Sequence, residues 1–367
     1  MNPSAKEAPT LSGDSYVAIA LQPRIYGCRD KKDLKKNLEN QLKLLDISLP
    51  GGLLYGGGPV KLVALPEGAI QGFYDELSNM DQVSYCKELA IEIPGPETDL
   101  LAQKAKDYGV YIAAQAKVVE PDISTERFFN QGFIISPEGE IILKHTKNII
   151  SLVEGSTSPY DLWDKWSAKY GGGLESYYPV VRTDIGNLGL AICAETLFPE
   201  TYRALALMGA EVIISITLAE PMIRMGIWES NNRTRAVDNI CYLVCPNGGP
   251  YYPTPDEDVP FSLLGGNAMI VDYRGYPQSR AHYHNEAGIP GEINIKGLRQ
   301  YRATSPHAAH IGQMRAGLWR QIYERWPDFP KNRYMERTYD HILERHVLLL
   351  ESLERLFEKG IYTRPAG

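Results

Sequence analysis

Apolar residues in this chain fall into short unbroken runs separated by amphipathic stretches. Tyr16-Val-Ala-Ile-Ala-Leu21 and Val60-Lys-Leu-Val-Ala-Leu65 read as buried strands, the second stopping at Pro66-Glu67. Between them Leu34, Leu38, Leu42 and Leu45 recur at helical spacing among lysines and acids, which predicts an amphipathic helix from Asp30. Gly51 to Gly58 reads as a flexible glycine-rich connection, since it lacks the Gly-Lys-Ser/Thr ending of a phosphate loop. The alternation then repeats. A helix from about Thr98 to Gly109 precedes a strand from Val110 to Val119, and strands Asn130 to Ile135 and Ile141 to Lys147 flank the turn Ser136-Pro-Glu-Gly139. An apolar strand ends at Cys193, and Pro199-Glu200 opens a helix that runs to Met208. Glu211 to Ile216, Ile240 to Val244, Met269 to Tyr273 and Gly288 to Ile295 complete the strands, with a helix carrying Trp228, Arg233 and Arg235 among them. Strands alternating with helices, some joined by tight turns, predict an α/β layered domain with a mixed sheet.

From about Leu298 the pattern changes. The tail is rich in Arg, Tyr and Trp, lacks strand patterning, and ends in a helix with Ile342, Leu349, Leu353 and Leu356 on one face and Gly360 as its cap. The expected division is a main α/β domain over 15–300 and a C-terminal extension over 301–367 that contacts a neighbouring subunit of a homo-oligomer, a dimer or higher.

With 44% hydrophobic and 23% charged residues among 367, the chain belongs with globular proteins. Its formal charge of −7 gives no electrostatic footprint for nucleic acid or an anionic membrane. No segment approaches the roughly 18 to 20 apolar residues needed to cross a bilayer, and the polar stretch Met1 to Ser15 lacks the apolar centre of a signal peptide. Cys28, Cys86, Cys193, Cys241 and Cys245 are an odd and sparse set, which argues for a reducing, cytoplasmic setting rather than a disulfide framework. Neither Cys241 with Cys245, nor His282 with His284, nor His307 with His310 has a partner at metal-site spacing. No metal or cofactor is expected.

Candidate chemistry starts at Cys193. A cysteine between a strand and a helix has backbone N–H groups converging near its sulfur, which would lower the thiol pKa and could hold an oxyanion; a buried core cysteine is the alternative. A cysteine nucleophile also needs a base, and no histidine sits at an obvious strand end. Glu67 and Lys147 do, each closing an otherwise apolar run as Cys193 does, and strand ends are where α/β folds place their sites.

Glu, Lys and Cys in this order resemble the nitrilase superfamily of carbon–nitrogen hydrolases. The matching motifs are Ala64-Leu65-Pro66-Glu67, Gly139-Glu-Ile-Ile-Leu-Lys144-His-Thr-Lys147 with the earlier Asn130, and Gly189-Leu-Ala-Ile-Cys193-Ala-Glu-Thr-Leu-Phe-Pro199-Glu200 with Arg203 and Gly209-Ala210. Trp228, Arg233-Thr-Arg235-Ala236, Asn239 and Gly265-Gly266-Asn267-Ala268-Met269 are similar further on, so the resemblance spans roughly Ser15 to Arg302. It implies a four-layer α-β-β-α sandwich with mixed sheets. It also implies Cys193 as nucleophile, Glu67 as general base and acid, and Lys147, which would favour the thiolate, with the Ala194 N–H as oxyanion donors. Glu154 matches a second glutamate that positions substrate in many family amidases. Ala194 and Glu195 stand where relatives differ, and are expected to contact substrate.

Departures from the pattern leave Lys144 as a rival to Lys147, because His145-Thr146 replaces the usual Tyr-Arg. The expected substrate is a small carboxamide, cleaved to acid and ammonia through a thioester; an N-carbamoyl amide, a nitrile, or an assembly role without catalysis are the alternatives. Arg203 or Arg224 could bind a substrate carboxylate, although Arg203 reads rather as an ion-pair residue.

Overall fold

The apolar runs become strands whose alternate side chains face two different cores. A computed structural model describes residues 13–365 apart from 152, 219–224, 262–264, 284, 327 and 339–342. Arg224, His284 and Ile342 therefore lie outside the described residues. In chain order the first half contains β1 (Ser15–Gln22), β2 (Ile25–Tyr26), α1 (Leu34–Gly56), β3 (Val60–Ala64), α2 (Tyr74–Ser78), α3 (Gln82–Glu88), α4 (Pro96–Tyr108), β4 (Tyr111–Glu120), β5 (Ser124–Ile135) and β6 (Ile141–Thr146). There follow α5 (Trp163–Tyr170), α6 (Leu174–Tyr177), β7 (Val180–Thr183), β8 (Gly186–Ile192), α7 (Pro199–Leu207), β9 (Val212–Ile216), α8 (Ile227–Asn239) and β10 (Tyr242–Cys245). The chain closes with β11 (Tyr251–Tyr252), β12 (Met269–Val271), β13 (Pro277–Arg280), β14 (Ala287–Asn294), α9 (Ile295–Thr304), α10 (Ala316–Arg325) and α11 (Leu343–Glu358).

Two six-stranded sheets result, ordered β14-β1-β3-β4-β5-β6 and β13-β12-β10-β9-β8-β7, while β2 and β11 form a separate two-stranded ribbon. Each is mixed: β1, β3 and β4 run parallel in the first and β8, β9 and β10 in the second, with antiparallel strands outside them. Three cores separate four layers. Val17, Ile19 and Leu21 of β1 face α1 and α4, whereas Tyr16, Ala18 and Ala20 face the second sheet. Leu188 and Leu190 of β8 meet them from the other side, and Ala191, Ile213 and Leu243 face α7 and α8. The expected α-β-β-α sandwich is the fold observed.

One sequence expectation is overturned. Gly51 to Gly56 is not a loose connection but the last turns of α1, which ends at Gly57 with φ 77°. A Cβ on Gly52 would come within 2.7 Å of Ile19 Cδ1, and one on Gly56 within 2.6 Å of Val17 Cγ2. These glycines let the helix lie against β1, so they mark close approach rather than flexibility.

The C-terminal region does not leave the body at residue 301. Leu298, Tyr301, Ala308 and Ile311 pack into the core between the sheets. Beyond them α10 buries none of its residues. No helix among the described residues is long and apolar enough to cross a membrane.

Candidate active site

Glu67 follows β3, Lys147 follows β6 and Cys193 follows β8, so two groups come from one sheet and the third from the other. Lys147 is the hub. Its Nζ donates to Glu67 Oε1 at 2.9 Å and to Glu154 Oε2 at 2.5 Å. Asn130, inward-facing on β5, donates through Nδ2 to Glu67 Oε1 and to Glu154 Oε1, both at 2.8 Å. Its Oδ1 accepts from Gln115 of β4 at 2.8 Å, and Gln115 Oε1 accepts from the Gly68 N–H at 2.8 Å. The Ser156 hydroxyl donates to Glu154, and the Leu218 N–H reaches Glu67 Oε2 at 3.4 Å. All these side chains are buried, and the network is satisfied as buried charge requires.

Electrostatics sort the protonation states. Burial alone would lower the Lys147 ammonium, but Cys193, Glu154 and Glu67 hold it well above its ordinary value. Burial would raise Glu154, yet the charge and hydrogen bond of Lys147 hold its carboxyl down to about 2. The Cys193 thiol goes the other way. Burial, then the Glu67 charge, push it well above the usual thiol range, and the opposing pull of Lys147 is weaker. The sequence suggests a lowered thiol, whereas here the balance of burial and Glu67 against Lys147 runs upward, with a hydrogen bond between the sulfur and Glu67.

Cys193 adopts φ 46°, a left-handed backbone that a non-glycine residue holds only when its surroundings enforce it. Glu195 supplies the enforcement. Its Oε2 accepts from the Ile192 N–H at 2.8 Å and lies 2.9 Å from His145 Nε2, while its Oε1 accepts from the Asn148 N–H at 2.9 Å. Glu195, expected beside the substrate, is fully buried, with both oxygens engaged by Ile192, His145 and Asn148. Consecutive side chains on the tight turn Cys193–Leu197 diverge, which adjacency in sequence does not reveal. Ala194 is buried next to the thiol.

The rival lysine stands outside this network. Lys144 lies on the other face of β6, is 37% exposed and pairs with Glu120 at 3.6 Å. Arg203, read as an ion-pair residue, has no ion pair among the described residues, and its buried Nη1 has no partner. The ring nitrogens of His310 lie 2.7 and 3.0 Å from the carbonyl oxygens of His307 and Asp238, and no group of three side chains that could hold a metal ion occurs among the described residues.

Sequence reasoning missed a second buried charge cluster alongside. Lys117 stands opposite Asn130 in the β4–β5 ladder, and its Nζ bonds to Asp75 at 2.7 Å and to Glu76 at 3.2 Å. The signal was available: Gln115 and Lys117 interrupt the apolar run Tyr111-Ile-Ala-Ala-Gln-Ala-Lys-Val at alternate, inward positions.

A family model described as carbon-nitrogen hydrolase matches residues 18–303 of this chain. A deaminated glutathione amidase from Synechocystis sp. (strain PCC 6803) is 27% identical over 301 residues, covering 80% of this chain and 97% of that protein. A formamidase from Bacillus cereus (strain Q1) is 27% identical over 318 residues, covering 83% and 86%. Among solved structures, Saccharomyces cerevisiae Nit3, a member of branch 10 of the nitrilase superfamily, superposes with a TM-score of 0.60 at 19% identity over 82% of this chain and 97% of its own. A Nesterenkonia sp. AN1 amidase variant in complex with acrylamide gives 0.57 at 16% identity, over 86% and 99%.

Proposed function

The chain belongs to the carbon–nitrogen hydrolase family, and on that premise we propose that it hydrolyses a small carboxamide to the acid and ammonia through a Cys193 thioester. The observation that carries the reading is the Lys147 ammonium bonded to both Glu67 and Glu154 in the site of the Cys193 thiol.

Each step draws on that arrangement. Glu67 accepts the thiol proton as sulfur attacks the carbonyl carbon. Lys147, held in advance by its two carboxylates, and the Ala194 N–H stabilise the oxyanion of the tetrahedral adduct. Glu67 returns its proton to the departing nitrogen, which leaves as ammonia and an acyl thioester on Cys193. It then takes a proton from water, whose oxygen attacks the thioester and releases the acid and the thiol. Glu154, held ionised, keeps Lys147 charged and fixed. Its presence favours an amide over a nitrile, since the site commits a second buried carboxylate to holding the oxyanion cation.

The test is ammonia release from matched amides, N-carbamoyl amides and nitriles, with the acyl-enzyme trapped and weighed by mass spectrometry. Turnover confined to nitriles, or more than a few per cent of wild-type rate retained by Cys193→Ala, would overturn the reading.

Two further readings belong here. Five cysteines, all free thiols, support a reducing, cytoplasmic setting. Leu318, Trp319, Ile322 and Tyr323 on α10 and Val347 and Leu350 on α11 are exposed, which supports a contact with a second copy of the chain.

A further inference from the structure

Glu195 sits where the two halves of the site meet, and its oxygens touch both. On the side of the nucleophile, Oε2 accepts from the N–H of Ile192, the residue before Cys193, at 2.8 Å. On the side of the cation, Oε1 accepts from the N–H of Asn148, the residue after Lys147, at 2.9 Å. One carboxylate thus joins the main chain beside the thiol to the main chain beside the ammonium. Its third partner is His145 Nε2, 2.9 Å from Oε2 and carried by β6 of the first sheet. His145 lies two residues before Lys147, so His145 and Asn148 bracket the lysine.

The imidazole has one polar contact to make. His145 and Glu195 are both buried, and no lysine or arginine pairs with either among the described residues. The buried Nδ1 of His145 has no hydrogen-bond partner among the described residues, and the ring stacks on Tyr178 with centroids 6.2 Å apart and planes 26° apart. A carboxylate oxygen 2.9 Å from Nε2 places the ring proton there and leaves Nδ1 with its lone pair. The bond to Glu195 is therefore what the polar part of this side chain contributes. A buried carboxylate without a cation depends on each such donor.

We propose that His145 is a positioning residue for the reaction. Through Glu195 it holds the Lys147 segment of the first sheet against the Cys193 turn of the second, which fixes the ammonium relative to the sulfur. This rests on the amide-hydrolase reading above and adds the device that sets its geometry. Misplacing a reacting group by about 1 Å costs on the order of a hundredfold in rate. The loss of His145 falls on the step in which the oxyanion forms, and so on kcat rather than KM.

The experiment compares His145→Gln with His145→Asn in the full-length protein. Gln carries its amide nitrogen where Nε2 lies and can remake the bond, whereas Asn reaches only as far as Nδ1. On the amide that wild type turns over fastest, ammonia release should give His145→Asn a kcat at least tenfold lower with KM within about twofold, and His145→Gln a kcat within about threefold of wild type. Combining His145→Asn with Glu195→Gln should be no slower than the slower single variant, since both remove one link. If His145→Asn does not fold, His145→Phe takes its place, filling the space of the ring without the donor. Equal kcat in the Asn and Gln variants, a loss in KM alone, or losses that multiply in the double variant would overturn the proposal while leaving amide hydrolysis standing. If no amide releases ammonia, hydrolysis itself fails, and labelling of Cys193 by iodoacetamide decides the clamp, because the pull of Lys147 towards thiolate requires it close by. Labelling at least threefold slower in His145→Asn and restored in His145→Gln would uphold it. Labelling not slowed by Asn, or slowed equally by both, would end it.

Discussion

Replacing Glu154 by glutamine tests the buried pair at the centre of the site. The substitution keeps shape and one acceptor but removes the charge that faces Lys147 at 2.5 Å. Holding a carboxyl at about 2 instead of its ordinary 4.5 corresponds to roughly 3 kcal/mol of stability at neutral pH. Breaking a buried pair by removing one partner costs about 3–5 kcal/mol, and Glu67 remains as a second partner, so the low end of that range applies. Two routes thus converge on ~3 kcal/mol. Because the folded-state value is depressed, the contribution is complete above the unfolded value of 4.5 and is lost as pH falls through 4.5 towards 2. Urea unfolding of wild type and Glu154→Gln should therefore differ by about 3 kcal/mol at pH 7, with the gap narrowing once pH drops below about 4.5. A variant within ~1 kcal/mol of wild type at pH 7, or a gap that widens in acid, would refute an ionised Glu154 paired with Lys147.

Alkylation of Cys193 by iodoacetamide should keep accelerating as pH rises beyond 9, because burial and Glu67 push the thiol up; a plateau below pH 8 would mean a thiolate at rest. Glu195→Gln, which leaves buried donors facing an amide, should cost about 1–3 kcal/mol and lower kcat at least tenfold with little change in KM. An equal loss in KM alone would show that Glu195 binds substrate after all. Deleting 315–367, which spares the packed residues Ala308 and Ile311, should reduce the assembly size measured by light scattering; unchanged size would remove the tail from the subunit contact.

Much of this architecture was legible because strands buried on two sides write continuous apolar runs. The start of β5 was not: Ser124–Arg127 is polar, and only Ser124 of it pairs with β4, opposite Glu120 across a bulge. The glycines of α1 were misread since a residue without Cβ signals looseness and close contact alike. At the site, Glu67, Lys147 and Cys193 stood out as reactive groups ending apolar runs. Glu154 lies in a loop with no period, so only the family resemblance pointed to it. The partners of Glu195 were hidden because two of them, His145 on β6 and Asn148 just after it, lie far away in sequence. Asp75 and Glu76 sit on a five-residue helix whose pattern says nothing about which partner they meet.

The division of the site between the two sheets has a consequence for the life of the chain. Glu67, Glu154 and Lys147 belong to one half and Cys193 to the other, and Glu195 joins them only after the halves have closed on each other. A nascent or half-opened molecule therefore carries Cys193 without the two carboxylates and the ammonium that the closed fold sets beside it, and with the ordinary thiol acidity that closure then raises. The complete constellation exists only once both sheets have met, so the thiol's surroundings report on the closure of the whole sandwich rather than on any one strand.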